Sequence, residues 1–385
     1  MRVAVYTDYA YVRKDGAVYA ERAFALFLAR LASRTDRMVI IGRLRTEGGD
    51  CRYRLPDLID FEPLPFYESL ARPVAAAGAM YRSLRRFWRA IDDVDVCWLL
   101  GPHPLALAFV ALARLRGRRV VLGVRQDLVA YAGSRHPGRP AFAILARGLD
   151  AAYRLIGRRY PVVVVGPALR RRYGRCPRLL ETAVSLVPEA EIAAAEARSR
   201  DYGKQLRILS VGRIDREKNP LLMADVLAAL HAAEPGRWRL VVCGEGPMTD
   251  DLESRLAELG VVEHADLRGY VQHGEALREA YASSHVLLHI SWTEGLPQVI
   301  IEALAARLPV VATDVGGIGE AVGPAALLVP PGDPGAALEA LRRIGDDGEL
   351  RGRLMEAGTG YAREHSLEAE VSRLASFLGA GGRPS

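Results

Sequence analysis

The stretch Val286-Leu-Leu-His-Ile-Ser-Trp-Thr-Glu-Gly-Leu-Pro-Gln-Val-Ile-Ile-Glu-Ala-Leu-Ala-Ala-Arg-Leu-Pro-Val-Val-Ala-Thr313 has the pattern of a complete strand–helix–strand unit. Residues 286–290 and 310–312 are short apolar runs bounded by turn-forming or polar residues, which is the pattern of buried strands. Residues 297–306 have a helical pattern, and Pro297 suits the first helical position. Strands joined by a helical crossover run parallel, so this stretch predicts a parallel sheet covered by helices.

The same alternation runs along the rest of the chain in two series, separated by the polar, strandless stretch Pro188–Gln205. The sequence therefore predicts an α/β protein with two doubly wound domains, residues 1–190 and 200–362, which face a ligand-binding cleft. A last helix at 366–380 is expected to pack back on the first domain. The predicted strands are 3–7, 38–42, 94–100, 120–124, 162–165, 207–211, 240–243, 286–290, 310–312 and 327–329, and the main helices of the first half are 18–33, 67–91, 104–116 and 140–156.

Length and composition are those of a globular protein with two cores. The chain has 385 residues, of which 50% are hydrophobic and 25% charged. Its four cysteines have no paired spacing, which argues against a disulfide framework and a structural zinc site. The N-terminus carries Asp8 and lacks an apolar signal core, and the apolar region 96–115 is broken by two prolines. We expect a soluble, reduced, cytoplasmic protein.

The charge is unevenly divided between the two halves. Residues 1–195 contain 32 basic and 18 acidic residues, whereas residues 196–385 contain 20 basic and 28 acidic residues. The basic half indicates an acidic partner, either an anionic membrane surface or an acidic acceptor, or else a merely solvated face. No nucleic acid is expected, because no recognised nucleic-acid motif accompanies the arginines. Residues 81–90 are a candidate for peripheral contact with the inner face of a membrane, unless Phe87 and Trp88 are core residues.

Two glutamates stand out in the opening stretch. Glu294 lies in the loop just before the predicted helix. The free amide donors and the dipole at the start of that helix point at whatever lies in front of it, which favours oxygen-rich or anionic ligands. Glu302 lies inside the helix among apolar residues, and a buried carboxylate requires a partner. Sugar hydroxyls would serve as partners, and so would an arginine or a neighbouring loop.

A second segment, Ser210-Val-Gly-Arg-Ile-Asp-Arg-Glu-Lys-Asn-Pro220, joins a strand to a helix. Arg213 and Lys218 bracket its loop at the carboxyl end of the strand, where two cations could clamp a diphosphate without a metal. They could equally be ordinary surface cations. The glycine loops at 243–247 and 314–320 fit either a phosphate cradle or a tight turn.

Together these segments resemble the family 4 retaining glycosyltransferases, also called the glycosyltransferase group 1 type. The paired glutamates, the run Glu-Gly-Leu-Pro and the run Leu308-Pro-Val-Val-Ala-Thr-Asp-Val-Gly-Gly carry the resemblance. It implies the GT-B fold of two facing Rossmann-like domains and a nucleotide sugar as donor. It implies that Glu294 and residues Gly295, Leu296 and Pro297 contact the donor sugar, that Glu302 holds the ribose, and that Arg213, Lys218 and Gly16 contact the diphosphate.

The chain departs from the family pattern in its first domain. Asp15 and Gly16 stand where many members have two glycines, and Arg125 stands where many have a histidine near the sugar. Arg125, Asp127 and His103 are therefore the candidate residues for the acceptor or the sugar. His103 has the alternative role of a loop-packing residue.

The resemblance implies transfer of a sugar with retention, without metal or cofactor, to a glycan, a lipid-linked glycan or a small metabolite. Glu294 is the candidate catalytic residue, and cations and helix-end amides would stabilise the leaving phosphate. The alternatives are a nucleotide-sugar epimerase, a phosphorylase on a similar scaffold, or a nucleotide-sugar binding protein without activity.

Overall fold

The computed structural model describes residues 1–46, 48, 51–67, 73–135, 140–196 and 199–380. Its first half contains a sheet whose parallel strands lie in the order β5-β3-β1-β6-β7-β8-β9. Helices connect most of these strands, as expected for a doubly wound sheet. The elements are β1 (Arg2–Lys14), β2 (Ala17–Ala20), α1 (Phe24–Ala32), β3 (Arg37–Arg45), β4 (Tyr53–Arg54), β5 (Ile59–Pro65), α2 (Pro73–Ala90), β6 (Val96–Gly101), α3 (Pro104–Leu115), β7 (Arg119–Val124), α4 (Leu128–Arg135), α5 (Pro140–Gly157), β8 (Val162–Val165), α6 (Pro167–Tyr173) and β9 (Leu179–Thr182).

The start of the chain differs from the prediction of a short strand followed by a long helix. β1 is long and turns back as the antiparallel hairpin β1–β2, so the helix begins only at Phe24. Asp15 and Gly16 form the hairpin turn with φ of 49° and 78°, which is the Asp-Gly signature of a two-residue turn. The pairing of β1 with β3 shifts register between Tyr6 and Ala10. This bulge re-aims Asp8 and Tyr9 at the carboxyl edge of the sheet.

The second half contains an entirely parallel sheet in the order β12-β11-β10-β13-β14-β15. This is the strand order of a dinucleotide-binding sheet, and the direction of winding reverses between β10 and β13. The elements are α7 (Glu189–Glu196), β10 (Leu206–Val211), α8 (Leu221–Ala233), β11 (Trp238–Cys243), α9 (Thr249–Glu258), β12 (Ala265–Leu267), α10 (Glu275–Ala282), β13 (Val286–His289), α11 (Gln298–Ala305), β14 (Val310–Thr313), α12 (Ile318–Val322), β15 (Ala326–Val329), α13 (Pro334–Asp346), α14 (Gly348–Glu364) and α15 (Leu367–Gly379).

The last helix, α15, packs on the first half of the chain. The Thr182 hydroxyl donates to the buried carboxylate of Glu370 at 2.8 Å, and Arg119 donates to the Leu378 carbonyl at 2.7 Å. The stretch between the sheets is not bare linker, because α7 lies within it.

The two halves also touch across the cleft. The Gln298 side chain donates to the Val184 carbonyl at 2.9 Å, and the hydroxyls of Tyr53 and Tyr270 lie 2.8 Å apart. The predicted α/β class with two facing, doubly wound sheets is confirmed. A strand-and-helix alternation of this regularity leaves few other ways to bury its apolar runs.

The basic segment 81–90 forms the end of α2. Phe87 is fully buried and stacks on Phe109 with ring centroids 3.9 Å apart, while Trp88 lies under the Arg116 guanidinium. Both aromatic side chains of this segment therefore pack against other residues of the domain, although Arg82, Arg85 and Arg89 are exposed. Residues 68–72 of the helix predicted over 67–91 lie outside the described residues. Among the described residues, no helix is long and apolar enough to cross a bilayer.

Candidate active site

The loops that follow β10 and β13 meet at the point where the second sheet reverses its winding. Ligands of such sheets bind at this point, beyond the carboxyl ends of the strands. The ammonium group of Lys218, from the first loop, is paired with the carboxylate of Glu294, from the second. The Nε2 atom of His289, the last residue of β13, lies 2.9 Å from the same carboxylate oxygen. Strand order thus brings together residues 76 positions apart.

Glu294 is held as a carboxylate. Its side chain is only 10% exposed, and burial alone would raise its pKa. The positive charge of Lys218 and the hydrogen bond with His289 outweigh burial, so the pKa of Glu294 lies well below its ordinary value. The group is therefore an anion and a hydrogen-bond acceptor throughout the physiological range, and it does not act as a proton donor there.

Arg213 is also paired with carboxylates. Its guanidinium lies 2.8 Å from Asp215 and contacts Glu217, and Arg213, Lys218 and His289 line one recess. Burial raises the pKa of Glu217, partly offset by Arg213. One carboxylate oxygen of Asp215 is buried and has no hydrogen-bond partner among the described residues. The acidic groups of these loops therefore balance the charges of both cations.

Two glycines allow the Glu294 loop to pack closely. Gly316 has φ of +63°, and a Cβ there would lie 1.9 Å from the Glu294 carbonyl oxygen. A Cβ on Gly295 would lie 3.2 Å from the Arg125 carbonyl oxygen, across the cleft. Pro297 is the N-cap of α11 in an extended conformation, so the helix begins one residue later than predicted. Within the described residues, the amides of Gly295 and Leu296 have no acceptor, and they remain available at the start of the helix.

The glycine loop at 243–247 supports packing. A Cβ on Gly244 would lie 1.7 Å from the Gly212 carbonyl oxygen, and one on Gly246 would lie 2.3 Å from that of Ile214. The Ile214 amide donates to the Glu245 carbonyl at 3.0 Å. These glycines let the loop lie directly against the loop that carries Arg213.

Glu302 faces a separate cavity of about 350 Å³. The Tyr281 hydroxyl donates to its carboxylate at 2.8 Å, and Nδ1 of His273 lies 3.5 Å from the other carboxylate oxygen. The partners required by a buried carboxylate are thus a tyrosine and a histidine, with room for further groups in a cavity also lined by α7 and α10.

A larger cavity of about 700 Å³ lies between the domains. Arg125 lines it, paired with Asp8 at 3.0 Å and placed 4.4 Å from the centroid of the Tyr9 ring. Its Nε atom is buried, and the part of the chain that the structure describes offers it no hydrogen-bond partner. Arg213 and Leu296 line the same cavity from the other domain, so the structure brings three predicted site residues together here.

The other predicted residues of the first domain lie elsewhere. Asp127 caps α4, accepting from the Val129 amide at 2.9 Å, and it pairs with Arg172 at 2.6 Å. His103 is buried, caps α3 and lies between the hydroxyls of Tyr6 and Tyr67 at 3.0 and 2.9 Å.

Gly16 is at a hairpin tip, where an added Cβ would meet no atom within 4 Å. It lines none of the described cavities that contain the other candidates.

Sequence reasoning missed several residues that the geometry now places in the site. Asp8, His289 and Glu217 touch the predicted residues directly. His289 and Asp8 each stand at the carboxyl end of a predicted strand, a position that could have identified them. Glu217 and Tyr281 have no comparable signal, because their contacts depend on how the loops fold.

Part of this chain is similar in sequence to known glycosyltransferases. The family model described as "Glycosyl transferases group 1" matches residues 192–360. Alpha-D-kanosaminyltransferase of Streptomyces kanamyceticus is 32% identical over 195 residues, covering 49% of this chain and 50% of that protein. GDP-mannose-dependent alpha-mannosyltransferase of Mycobacterium tuberculosis is 31% identical over 270 residues, covering 66% and 64%. The chain therefore spans about half the length of the first relative and under two thirds of the second.

Solved structures match over nearly the whole chain. WaaG, a glycosyltransferase of lipopolysaccharide biosynthesis, superposes with a TM-score of 0.71 at 18% identity, covering 98% of this chain and all of that one. Anabaena HepE in complex with UDP-glucose superposes with a TM-score of 0.68 at 14% identity, covering 99% and 100%. At these identities the likeness shows the fold. Residues 192–360 of this chain are thus similar to the group 1 glycosyl transferases, and its two facing domains have the GT-B fold.

Proposed function

We propose that this protein is a retaining glycosyltransferase that moves a sugar from a nucleoside diphosphate to an acceptor bound against the first domain. The observation that carries the proposal is the cluster of Arg213, Lys218 and Glu294 at the reversal point of the second sheet, next to the amides of Gly295 and Leu296, which have no acceptor among the described residues. Two cations and a helix N-terminus can bind the negative charges of a diphosphate, and a carboxylate that stays ionised can accept hydrogen bonds from sugar hydroxyls.

The chemistry follows from these charges. When the bond between sugar and diphosphate breaks, negative charge grows on the leaving phosphate and positive charge on the sugar ring. Arg213, Lys218 and the two amides stabilise the leaving group, and Glu294 orients the sugar and offsets its charge. The acceptor attacks from the same face as the departing phosphate, which takes the acceptor's proton. Glu302 binds the ribose from its own cavity, and no metal or cofactor is required.

Both cations are paired with carboxylates of the protein, and these ion pairs affect how the donor diphosphate binds. Lys218 contacts Glu294, and Arg213 contacts Asp215 and Glu217, so an incoming diphosphate competes with carboxylates that are already in place. The carboxylates hold both cationic side chains in defined positions at the recess that they line, which reduces the ordering cost of binding. The relative that is GDP-mannose-dependent and the neighbour solved with UDP-glucose support a nucleotide sugar as donor.

A thermal-shift panel tests the proposal with UDP, GDP, ADP, TDP and their sugars, with and without EDTA. A donor that binds the folded state raises the melting temperature by mass action. We expect one nucleotide class to stabilise the protein, unaffected by EDTA, and the transferred sugar to retain its anomeric configuration. No shift with any nucleotide would overturn the proposal.

Three alternatives have separate readouts. An epimerase would convert the donor without an acceptor, a pyridoxal-dependent phosphorylase would absorb visible light, and a non-catalytic binder would shift in melting temperature without turnover.

A further inference from the structure

The helix α5 and the segment that follows it form a strongly basic surface of the first domain. Residues 140–180 contain nine arginines and one acidic residue, Asp150. Asp150 is buried, and it pairs with Arg154 at 2.9 Å and with Arg172 at 2.7 Å. The solvent-facing side of this segment therefore carries arginines and no acidic side chain of its own.

Large aliphatic side chains stand among these arginines. Ile144, Leu145 and Leu155 are 65%, 70% and 61% exposed. Ile144 and Leu155 are about three helical turns apart, so they lie on the same face of α5. The opposite face holds the buried residues Ala146 and Tyr153, which attach the helix to the domain. Exposing three large aliphatic side chains on one helix costs free energy in water unless another surface covers them.

A cavity of about 300 Å³ adjoins this face between α5 and α6. Arginines make up most of its lining, together with Tyr173, whose buried hydroxyl has no hydrogen-bond partner in the described part of the chain. Within the described residues, Arg158, Arg159 and Arg175 are exposed and make no ion pair. The arginines that line the cavity are Arg154, Arg158, Arg171, Arg172 and Arg175.

We propose that this α5 surface, defined by Ile144, Leu145 and Leu155 with Arg158, Arg159 and Arg175, docks on an anionic phospholipid bilayer. Charge complementarity selects the bilayer, because guanidinium groups attract anionic headgroups while the aliphatic side chains enter the boundary below them. The arginine cavity accommodates a headgroup phosphate. The segment 81–90 is the weaker candidate for membrane contact, because Phe87 is buried in the core. The proposal goes beyond the transfer reaction and does not rest on it.

Vesicle co-sedimentation of the full chain tests the proposal. The probes are vesicles of phosphatidylcholine alone and vesicles with about one third phosphatidylglycerol, at low and high salt. We expect binding to the anionic vesicles only, weakened by salt. The triple variant Arg158→Gln, Arg159→Gln, Arg175→Gln and the triple variant Ile144→Ser, Leu145→Ser, Leu155→Ser should each weaken binding by about tenfold or more.

Two matched controls locate the surface. The variant Arg82→Gln, Arg85→Gln, Arg89→Gln makes the same charge change on α2, and Leu58→Ser, Tyr81→Ser, Leu115→Ser replaces side chains of similar exposure elsewhere. Both should bind as the wild type does. If a control variant lost as much vesicle binding as the α5 variant that it matches, the assignment to α5 would be overturned. If the wild-type protein did not bind anionic vesicles at low salt, the proposal itself would be overturned.

Inorganic phosphate separates a headgroup from a free anion. One outcome is that millimolar phosphate stabilises the protein through Arg158 and Arg175 while the protein does not bind vesicles. That outcome would identify the ligand as a soluble phosphate and would overturn the proposal. Circular dichroism of each variant, matched to wild type, would show that lost binding is not lost folding.

Discussion

The ammonium group of Lys218 forms a salt bridge with the carboxylate of Glu294 across the reversal point of the second sheet. Both side chains are largely buried, with 22% and 10% exposed. Removing one partner of such a pair leaves the other charge uncompensated. We therefore expect Glu294→Gln to lower the free energy of unfolding by about 3 kcal/mol. Denaturant unfolding measures this loss, and Glu263→Gln, at an exposed position, is the control.

The same pair has a pH signature. Because the pKa of Glu294 is lowered in the folded state, its contribution to stability is present above the ordinary glutamate pKa of 4.5 and is lost as the pH falls below it. The difference in unfolding free energy between wild type and Glu294→Gln should therefore shrink as the pH is lowered from 5 toward 3. A difference that stays constant over that range would show that Glu294 is not held as an anion by Lys218 and His289.

Glu302 should govern nucleotide binding rather than turnover chemistry. Its carboxylate receives the Tyr281 hydroxyl and faces a cavity outside the Lys218 cluster. We expect Glu302→Ala to abolish most of the thermal shift caused by a nucleoside diphosphate, while Glu294→Ala retains it and loses turnover. Glu263→Ala serves as the control. A full nucleotide shift in Glu302→Ala would remove that residue from the donor site.

Gly316 is expected to control the position of Glu294. A Cβ at residue 316 would collide with the Glu294 carbonyl oxygen and would require an unfavourable positive φ. Gly316→Ala should therefore displace the loop and lower kcat/KM by about a hundredfold, since small misplacements of reacting groups have effects of that size. Gly323→Ala, where a Cβ meets nothing within 4 Å, is the matched control. Wild-type kinetics in Gly316→Ala would contradict the role of this contact.

His103 should make the first domain sensitive to acid. Burial lowers its pKa to about 4, whereas the unfolded chain takes up this proton near the ordinary value of 6.5. Stability is therefore lost as the pH falls from 6.5 to 4, by ~3 kcal/mol in total. The variant His103→Asn should lose that part of the pH dependence in denaturant unfolding. The control His264→Asn should keep it, and an unchanged profile in His103→Asn would assign the acid sensitivity to other groups.

Much of the fold was visible in the sequence. Short β-branched runs alternating with helical patterns predicted both sheets, and the order of motifs placed Arg213, Lys218 and Glu294 in loops after strands. The hairpin at Asp15 and Gly16 does not follow from the apolar pattern, because the first apolar run stops at Thr7 whereas the strand continues past it through a bulge. The Asp-Gly turn was the available signal.

The site was predictable only in outline. Glu294 and Glu302 were identified as a pair, yet the structure assigns them to different surroundings, one against Lys218 and one against Tyr281. Asp127 and His103 carry polar chemistry at loop positions, but one caps α4 and the other fills a buried hydrogen-bond network. Local sequence cannot separate a ligand contact from a cap, because both require the same polar atoms.

The alternation of strands and helices, the parallel sheets and the loops that carry the charged residues can be predicted from the chain alone, since they follow from side-chain periodicity and turn chemistry. Which charged groups meet depends instead on how the strands assemble. Lys218 reaches Glu294 because β10 and β13 are neighbours in the sheet, and Arg125 reaches Asp8 because a bulge turns β1 toward the cleft. Strand order and register depend on the packing of the whole core, and no local pattern in the chain specifies them.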